Sequence, residues 1–295
     1  MASCKAKIIE KIFHWRTLHS GDTMEHVKRR FKSQKTFSII KSFYKIANVQ
    51  LKEINGHKCY VIIPKNASTK KCMYIHGGGF VTQITPFHWF FIKRLLLATK
   101  ATFYVPDYPL STDTYASAKD AVTMLLETYK LMLIDTKPEN ITVMGDSAGG
   151  TLTLVLAQQA KLNGLPAPKN LIPLSPALDL EIDIAKSYEY ASRDSVLTQG
   201  LLYCASKWYI PAGEDAKNPI YSPIYGDFKD IGFITMFMGT HESLLLQSDI
   251  LDKKLTAEHI DHKYFVGQDM FHVWMLFTIK ERKEPIDLII NLIRD

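Results

Sequence analysis

Two hydrophobic patterns alternate along the chain from about residue 46 onward. Short apolar runs that fit β-strands are separated by longer segments in which apolar residues recur at helical spacing. The predicted strands are 49–53, 58–64, 72–75, 102–106, 141–144, 171–174, 234–239 and 263–266, and the predicted helices begin near 86, 116, 148 and 244, with one more near the C-terminus. Strands that alternate with helices in this way predict an α/β fold with a mostly parallel sheet and helices on both faces.

Two segments depart from this alternation. Residues 1–45 have a basic, helical pattern, and residues 176–227 form a long insertion with an amphipathic segment at 197–209. Insertions of this length are usually functional lids, and ligands bind at the carboxyl edge of a parallel sheet. We therefore predict a core of residues 46–175 and 228–295, covered by a cap that the N-terminal helices and the insertion form together.

Composition excludes several protein classes. The chain has 295 residues, of which 46% are hydrophobic and 22% charged, so it is neither disordered nor a disulfide-stapled mini-protein. The net charge is +6, but the basic residues are dispersed apart from a cluster at 28–35, which favours a solvated helix face over nucleic-acid binding. The cysteines lack zinc-ligand spacing, and no apolar run approaches the ~20 residues of a membrane span. We expect a cytoplasmic protein without a signal peptide or stable membrane association.

A candidate nucleophile lies in residues 145–150, GDSAGG, which contain the pattern G-x-S-x-G. The segment lies between a predicted strand and a predicted helix, where flanking glycines allow a sharp turn that exposes the serine hydroxyl. Ser147 is therefore the candidate nucleophile. The alternative is a glycine-rich turn in which Ser147 only caps the helix.

A second glycine-rich segment, HGGG at residues 76–79, follows the predicted strand 72–75. Consecutive glycines free backbone N–H groups to bind an oxyanion, as in lipases and esterases. A flexible turn or a phosphate-binding loop is the alternative, but no Lys-Ser/Thr pair follows and the glycine spacing does not fit G-x-G-x-x-G. The segment precedes GDSAGG by about 70 residues, as expected for an oxyanion loop.

A serine nucleophile needs a histidine base and an acid that orients the base. His272 follows the last predicted strand, so its loop can bring it over the sheet edge. Glu242 follows the strand at 234–239 and is the candidate acid, with Asp269 as its main rival. A partly buried structural histidine and a plain exposed carboxylate are the alternatives for His272 and Glu242.

Together, HGGG and GDSAGG resemble the motifs of the hormone-sensitive-lipase-like branch of the α/β-hydrolases, which includes many bacterial carboxylesterases. The resemblance covers about residues 45–290, and its further matches are Asp107-Tyr108, Leu174-Ser175-Pro176, Tyr221-Ser222-Pro223 and Phe271-His272-Val273-Trp274. The chain departs from the family at Glu242, where Asp is usual, and at Pro109, where the family's Asp-Tyr-Arg stretch has Arg.

The resemblance implies an α/β-hydrolase fold with an eight-stranded, mostly parallel sheet and a helical cap. It also implies residue roles: Ser147 as nucleophile, His272 as base and Glu242 as acid, with the N–H groups of Gly77, Gly78 and Ala148 as the oxyanion hole. No metal or organic cofactor is expected. From position alone, Phe80, Trp208 and Tyr209 are expected to line the substrate pocket.

The implied function is that of a serine carboxylesterase that hydrolyses small-molecule, short-acyl esters through an acyl-enzyme. A deacetylase, amidase, peptidase or lipase would use the same residues, because leaving-group preference depends on pocket shape. A catalytically silent binding protein on the same fold is the second alternative. The apolar segment 286–293 fits either a homodimer interface or packing on the chain's own sheet.

Overall fold

The computed structural model describes residues 2–20, 25–26, 38–111, 118–181 and 193–295. The strands are β1 (Ala47–Ile54), β2 (His57–Pro64), β3 (Lys71–Ile75), β4 (Thr102–Pro106), β5 (Ile141–Asp146), β6 (Asn170–Leu174), β7 (Phe233–Gly239) and β8 (His262–Gly267). The α-helices are α1 (Cys4–Ser20), α2 (Pro86–Thr99), α3 (Ala118–Leu133), α4 (Ala148–Leu162), α5 (Gln199–Tyr209), α6 (Leu245–Ala257) and α7 (Lys283–Arg294). Short 3-10 helices cover Lys41–Lys45, Pro138–Asn140, Pro223–Tyr225, Trp274–Leu276 and Lys280–Arg282.

The eight strands form one sheet in the order β1-β2-β4-β3-β5-β6-β7-β8. The β1–β2 and β2–β4 pairs are antiparallel, and every later pair is parallel. Strands β3 to β6 are buried along their whole length, as their unbroken apolar runs require in a sheet covered on both faces. The predicted eight-stranded, mostly parallel α/β-hydrolase sheet is confirmed.

The antiparallel edge begins with a β1–β2 hairpin whose two-residue turn is Asn55-Gly56. Both residues have positive φ, 51° and 76°. A two-residue hairpin turn of this kind needs positive φ at both central positions, which Asn and Gly adopt at the lowest cost. The turn sets the register that pairs Ile54 with His57.

Helices cover both faces of the sheet. Buried residues of α3, α4 and α6 belong to one hydrophobic cluster, and those of α1, α2 and α7 belong to the other. The apolar stripe of α7 is buried in the second cluster through Ile286, Ile289 and Ile293. These three residues therefore pack within the chain, as one of the two interpretations of 286–293 predicts.

The predicted cap is described in part. Helix α5 lies in the insertion, and α1 contacts that insertion through the Thr17 hydroxyl, which donates to the Ser195 carbonyl over 3.0 Å. The basic cluster at 28–35 and residues 182–192 of the insertion lie outside the described residues. Across the ranges given above, no helix is both long and apolar enough to cross a membrane.

Candidate active site

Ser147 lies in the tight turn between β5 and α4. Its backbone has φ 52° and ψ −122°, a strained conformation for a residue with a side chain. Two features hold the turn: the Ser147 N–H donates to the Leu174 carbonyl over 2.7 Å, and Gly149 packs directly against the Ile75 carbonyl, where a Cβ would collide. The strain projects the hydroxyl away from the sheet at the start of α4, as the G-x-S-x-G pattern predicts.

Ser147, His272 and Glu242 form a continuous chain of hydrogen bonds. His272 Nδ1 lies 2.8 Å from Glu242 Oε2, and His272 Nε2 lies 2.9 Å from Ser147 Oγ. An ionised carboxylate can only accept, so Nδ1 carries the proton and Nε2 accepts from the serine hydroxyl. This tautomer is the one a general base needs in order to take the serine proton.

Two buried donors hold the Glu242 carboxylate. Its Oε1 accepts from the Ser175 hydroxyl over 2.8 Å and from the Gly239 N–H. Ser175 Oγ also accepts from the Val273 N–H over 3.1 Å. Val273 has φ 50°, which is unusual for a β-branched residue, and it follows His272 directly. Ser175 therefore connects the loop of the acid to the loop of the histidine.

Asp269, the rival acid, lies elsewhere. Its carboxylate accepts from the Ala2 N–H over 3.3 Å and from the Gln268 side-chain amide over 3.0 Å. Neither bond leads to His272, whose Nδ1 faces Glu242. The structure thus brings Glu242 and not Asp269 to the histidine.

Burial and charge shift the pKa values of the acid and the base. Burial raises the pKa of Glu242 above its ordinary value, against the opposing effect of His272. Burial alone would lower the pKa of His272, but the hydrogen bond and negative charge of Glu242 outweigh it and raise that pKa. The imidazolium that forms when His272 takes a proton is therefore stabilised in place.

The HGGG loop supplies N–H groups beside Ser147, but Gly77, one of the two HGGG glycines that the sequence predicts as donors, is not among them. The Gly77 N–H donates to Asp146 Oδ1 over 3.1 Å, so it points into the protein. Gly78 and Gly79, with φ 121° and 61°, line the cavity at Ser147 together with Ala148. Among the described residues, no acceptor takes the N–H groups of Gly78, Gly79 or Ala148. The expected donor Gly77 is therefore not available to an oxyanion, and the candidate donors are the N–H groups of Gly78, Gly79 and Ala148.

A cavity of about 370 Å³ opens above Ser147 between the sheet and the cap. It is lined mainly by apolar side chains from the core and from the insertion, among them Phe80, Phe87, Leu180, Val196, Leu197, Leu201, Leu202, Ala205, Leu244, Val273, Leu276 and Phe277. The Ser147 and His272 side chains form part of its floor. The cavity can therefore hold the apolar part of a molecule whose polar group faces the serine.

The family model for the alpha/beta hydrolase fold matches residues 72–276, which contain Ser147, Glu242 and His272. The chain belongs to the α/β-hydrolase fold family. The predicted resemblance to its hormone-sensitive-lipase-like branch is confirmed.

Similar proteins include lipases and esterases. A triacylglycerol lipase of Mycobacterium tuberculosis is 28% identical over 233 residues, which cover 78% of this chain and 48% of the lipase. The chain thus matches about half the length of that relative. The crystal structure of an esterase/lipase from an uncultured bacterium has a TM-score of 0.84 at 25% identity, covering 99% of this chain and 98% of that one. A hormone-sensitive-lipase homologue from a metagenome library shares the fold, with a TM-score of 0.82 at 24% identity, covering 99% and 98%.

This α/β-hydrolase has a second buried carboxylate–histidine pair, on the other side of Ser147. Asp146 accepts from the Tyr74 hydroxyl over 2.6 Å, and its Oδ2 lies 3.1 Å from His88 Nε2. His88 Nδ1 accepts from the Thr85 N–H over 2.9 Å as part of the capping box of α2. The same carboxylate holds the Gly77 N–H, so the pair anchors the oxyanion loop.

His76 lies next to this pair. Its ring stacks on Tyr108 with centroids 4.5 Å apart, and its Nδ1 lies 2.8 Å from the Gly77 carbonyl. Burial and the neighbouring His88 lower the pKa of His76 to about 4, so the ring is neutral at physiological pH. The sequence analysis missed the part of His88 and Asp146, although Asp146 lies inside the motif of the nucleophile.

Only one of the three aromatic residues expected in the substrate pocket lines the cavity. Phe80 lines the cavity, with φ 65°. Tyr209 lies behind it, with stacked ring centroids 3.7 Å apart, and does not line the cavity. Trp208 is also absent from the cavity wall that the described residues form. Helix α5 instead contributes Leu201, Leu202 and Ala205 to the cavity wall.

No metal centre accompanies these groups in the part of the chain that the structure describes. There, no three His, Cys, Asp or Glu side chains come together in a way that could hold a metal ion.

Proposed function

We propose that the protein is a serine carboxylic ester hydrolase that cleaves short-acyl esters of small alcohols through an acyl-enzyme on Ser147. The observation that carries the proposal is the hydrogen-bonded chain from Glu242 through His272 to Ser147, beside free backbone N–H groups and below an apolar cavity. Relatives named lipase and esterase support a carboxylic ester hydrolase.

The first half of the reaction forms the acyl-enzyme. Ser147 Oγ attacks the ester carbonyl carbon while His272 Nε2 takes the serine proton. The carbonyl oxygen becomes an oxyanion, which the N–H groups of Gly78, Gly79 and Ala148 bind. When the intermediate collapses, the bond between the carbonyl carbon and the alcohol oxygen breaks, and His272 gives its proton to that oxygen.

The second half releases the acid. A water molecule gives a proton to His272 Nε2 and attacks the acyl carbon, and the same N–H groups bind the second oxyanion. Collapse breaks the bond to Ser147 Oγ, which recovers its proton from His272. Throughout, Glu242 keeps the imidazole oriented and stabilises its charged form, without itself taking the proton.

Cavity size supports the short-acyl preference. A volume of about 370 Å³ is near the lower end of the roughly 300–1,000 Å³ found for small-molecule sites. The apolar walls, which include the cap residues Leu197 and Leu201, favour an alkyl chain.

Hydrolysis of p-nitrophenyl esters from acetate to palmitate tests the proposal. We expect turnover that is highest with short chains and is abolished by Ser147→Ala, together with labelling of Ser147 by a fluorophosphonate. A folded protein that is neither labelled nor active on any chain length would contradict the proposal and favour a silent binding protein.

A further inference from the structure

Asp194 is a buried carboxylate from the cap insertion that makes four hydrogen bonds near the active site. Its side chain lies outside the hydrogen-bonded chain of Ser147, His272 and Glu242. None of the described cationic side chains forms an ion pair with it. Because an unpaired buried charge is costly unless donors surround it, the arrangement of those donors indicates what this residue does.

One oxygen of Asp194 holds the loop of the catalytic acid. Oδ2 accepts from the Ser243 N–H over 2.8 Å and from the Ser243 hydroxyl over 2.9 Å. Ser243 follows Glu242 directly in the chain. The carboxylate therefore fixes the backbone immediately after Glu242, across a separation of 49 residues.

The other oxygen holds the wall of the cavity. Oδ1 accepts from the Val196 N–H over 2.9 Å and from the Leu197 N–H over 2.8 Å. Val196 and Leu197 both line the cavity above Ser147. One carboxylate thus joins the cap segment that faces the substrate to the loop that bears the acid.

We propose that Asp194 is a positioning residue that locks the cap wall and the loop of Glu242 into one unit and adds a negative charge behind the His272–Glu242 pair. The catalytic part of this inference rests on the proposed esterase function, whereas the coupling of Asp194 to His272 does not. Asp194 acts through Ser243 and does not touch the reacting atoms.

The proposed effect of the Asp194 charge on the His272–Glu242 pair agrees with the pKa shifts of these two residues. The negative charges that act on this ring are those of Glu242, Asp194 and Asp146. After the dominant contribution of Glu242, Asp194 is the next group that raises the pKa of His272, and it also raises that of Glu242.

A contact on the outer side of the same loop offers a matched control. His241, which precedes Glu242, has its Nδ1 2.7 Å from Glu10 Oε1 of α1. This contact is part-exposed, unlike that of Asp194. Glu10→Gln therefore perturbs the acid loop from outside without removing the buried carboxylate.

An NMR titration of His272 tests the coupling without depending on turnover. The His272 signal is assigned with His272→Gln, and the titration is compared between wild type, Asp194→Asn, Asp194→Glu and Glu10→Gln. We expect Asp194→Asn to lower the pKa of His272, because it removes a negative charge that raises that pKa. Asp194→Glu keeps the charge and Glu10→Gln leaves the site intact, so both should titrate as wild type. An unchanged titration in Asp194→Asn would overturn the electrostatic part.

Kinetics on p-nitrophenyl acetate test the positioning part. We expect Asp194→Asn to lower kcat by about 10- to 100-fold, the range found when groups that orient an active-site ligand are removed. The side-chain amide of the new asparagine has only one acceptor oxygen, so its NH2 group would meet an N–H donor of either Ser243 or Leu197 and lose those hydrogen bonds. Ser243→Ala removes only the hydroxyl donor and keeps the charge, so we expect kcat to fall by about threefold to tenfold, with KM and the pH profile unchanged.

If Asp194→Asn does not fold, Ser243→Ala still tests the positioning part, because it keeps Asp194 and removes only one of its donors. A wild-type kcat in Ser243→Ala would contradict the link through Ser243. A wild-type protein that lacks esterase activity would refute the proposed function, but the NMR titration would still accept or reject the coupling of Asp194 to His272.

Discussion

Two buried carboxylate–histidine pairs flank Ser147, and they differ in what the second ring nitrogen faces. In both pairs one imidazole nitrogen lies against a carboxylate, 2.8 Å for His272 and Glu242 and 3.1 Å for His88 and Asp146. The other nitrogen of His272 faces the Ser147 hydroxyl, whereas that of His88 accepts from the Thr85 backbone N–H.

This difference decides which pair can carry out proton transfer. His272 Nε2 can take the hydroxyl proton and return it to a leaving group. His88 Nδ1 cannot take a proton without losing the capping hydrogen bond, because a backbone N–H already points at it. A buried Asp/Glu–His pair is therefore not enough to identify a catalytic base. The partner of the second imidazole nitrogen distinguishes a histidine that can act as a base from one that only stabilises the structure.

The largest expected effect comes from removing the base. We predict that His272→Ala lowers kcat by at least about 10⁴-fold without unfolding the protein, whereas His88→Ala retains far more activity. Since Ser147 and His272 act as a unit, the double variant Ser147→Ala/His272→Ala should be no less active than either single variant. Comparable losses in His272→Ala and His88→Ala would remove the distinction between the pairs.

The identity of the acid gives the next largest effect. We predict that Glu242→Gln lowers kcat by about 10³- to 10⁴-fold, because the amide no longer fixes the Nδ1–H tautomer of His272. Asp269→Asn is the matched control, and its kcat should stay within about twofold of wild type. A large loss in Asp269→Asn with little loss in Glu242→Gln would reverse the assignment. Both are measured with p-nitrophenyl acetate.

Removing His88 from its pair with Asp146 should have a clear effect on stability and a smaller effect on kcat than the loss of His272. We predict that His88→Ala lowers the free energy of unfolding by about 3 kcal/mol, because it leaves Asp146 with one buried partner fewer. The kcat should fall by about 10- to 100-fold, since Asp146 also anchors Gly77 of the oxyanion loop. Urea unfolding and steady-state kinetics on the same preparation measure the two effects. Unchanged stability with a loss as large as that of His272→Ala would make His88 catalytic.

Positions that follow strands were predictable from sequence. Ser147, Glu242 and His272 each come after a parallel strand of the sheet, and the carboxyl ends of such strands meet at one edge. Turn chemistry then exposes the serine, because Gly149 is the residue that fits against the Ile75 carbonyl. Local pattern and topology were therefore sufficient to place these three residues at one edge of the sheet, but they left Asp269 open as a rival to Glu242.

Other features depend on contacts that leave no local pattern. Gly77 and Gly79 are equivalent in sequence, and only the position of Asp146 decides that the Gly77 N–H turns inward. Tyr209 was expected in the pocket, but it stacks behind Phe80 because of how α5 is rotated on the core. Asp194 meets Ser243 across 49 residues, with no motif around either. These arrangements follow from tertiary packing, which periodicity does not encode.

The smallest expected effect is the pH dependence, which should involve only the pair that contains Ser147. The raised pKa of His272 means that the acidic limb of kcat/KM lies above the ordinary value of about 6.5. Activity should fall about tenfold for each pH unit below the limb, because the protonated ring cannot act as a base.

Stability should change in the opposite direction across the same window. A histidine whose pKa is higher folded than unfolded contributes stability that is complete below about pH 6.5 and is lost as pH rises through the folded pKa. The unfolding free energy of wild type minus that of His272→Gln should therefore decrease from pH 6 to pH 8, while kcat/KM increases. Urea titrations at each pH measure this difference. A difference that stays constant would mean that the charge on His272 is not stabilised by Glu242, and the two pairs would then differ only in the neighbour of the second nitrogen.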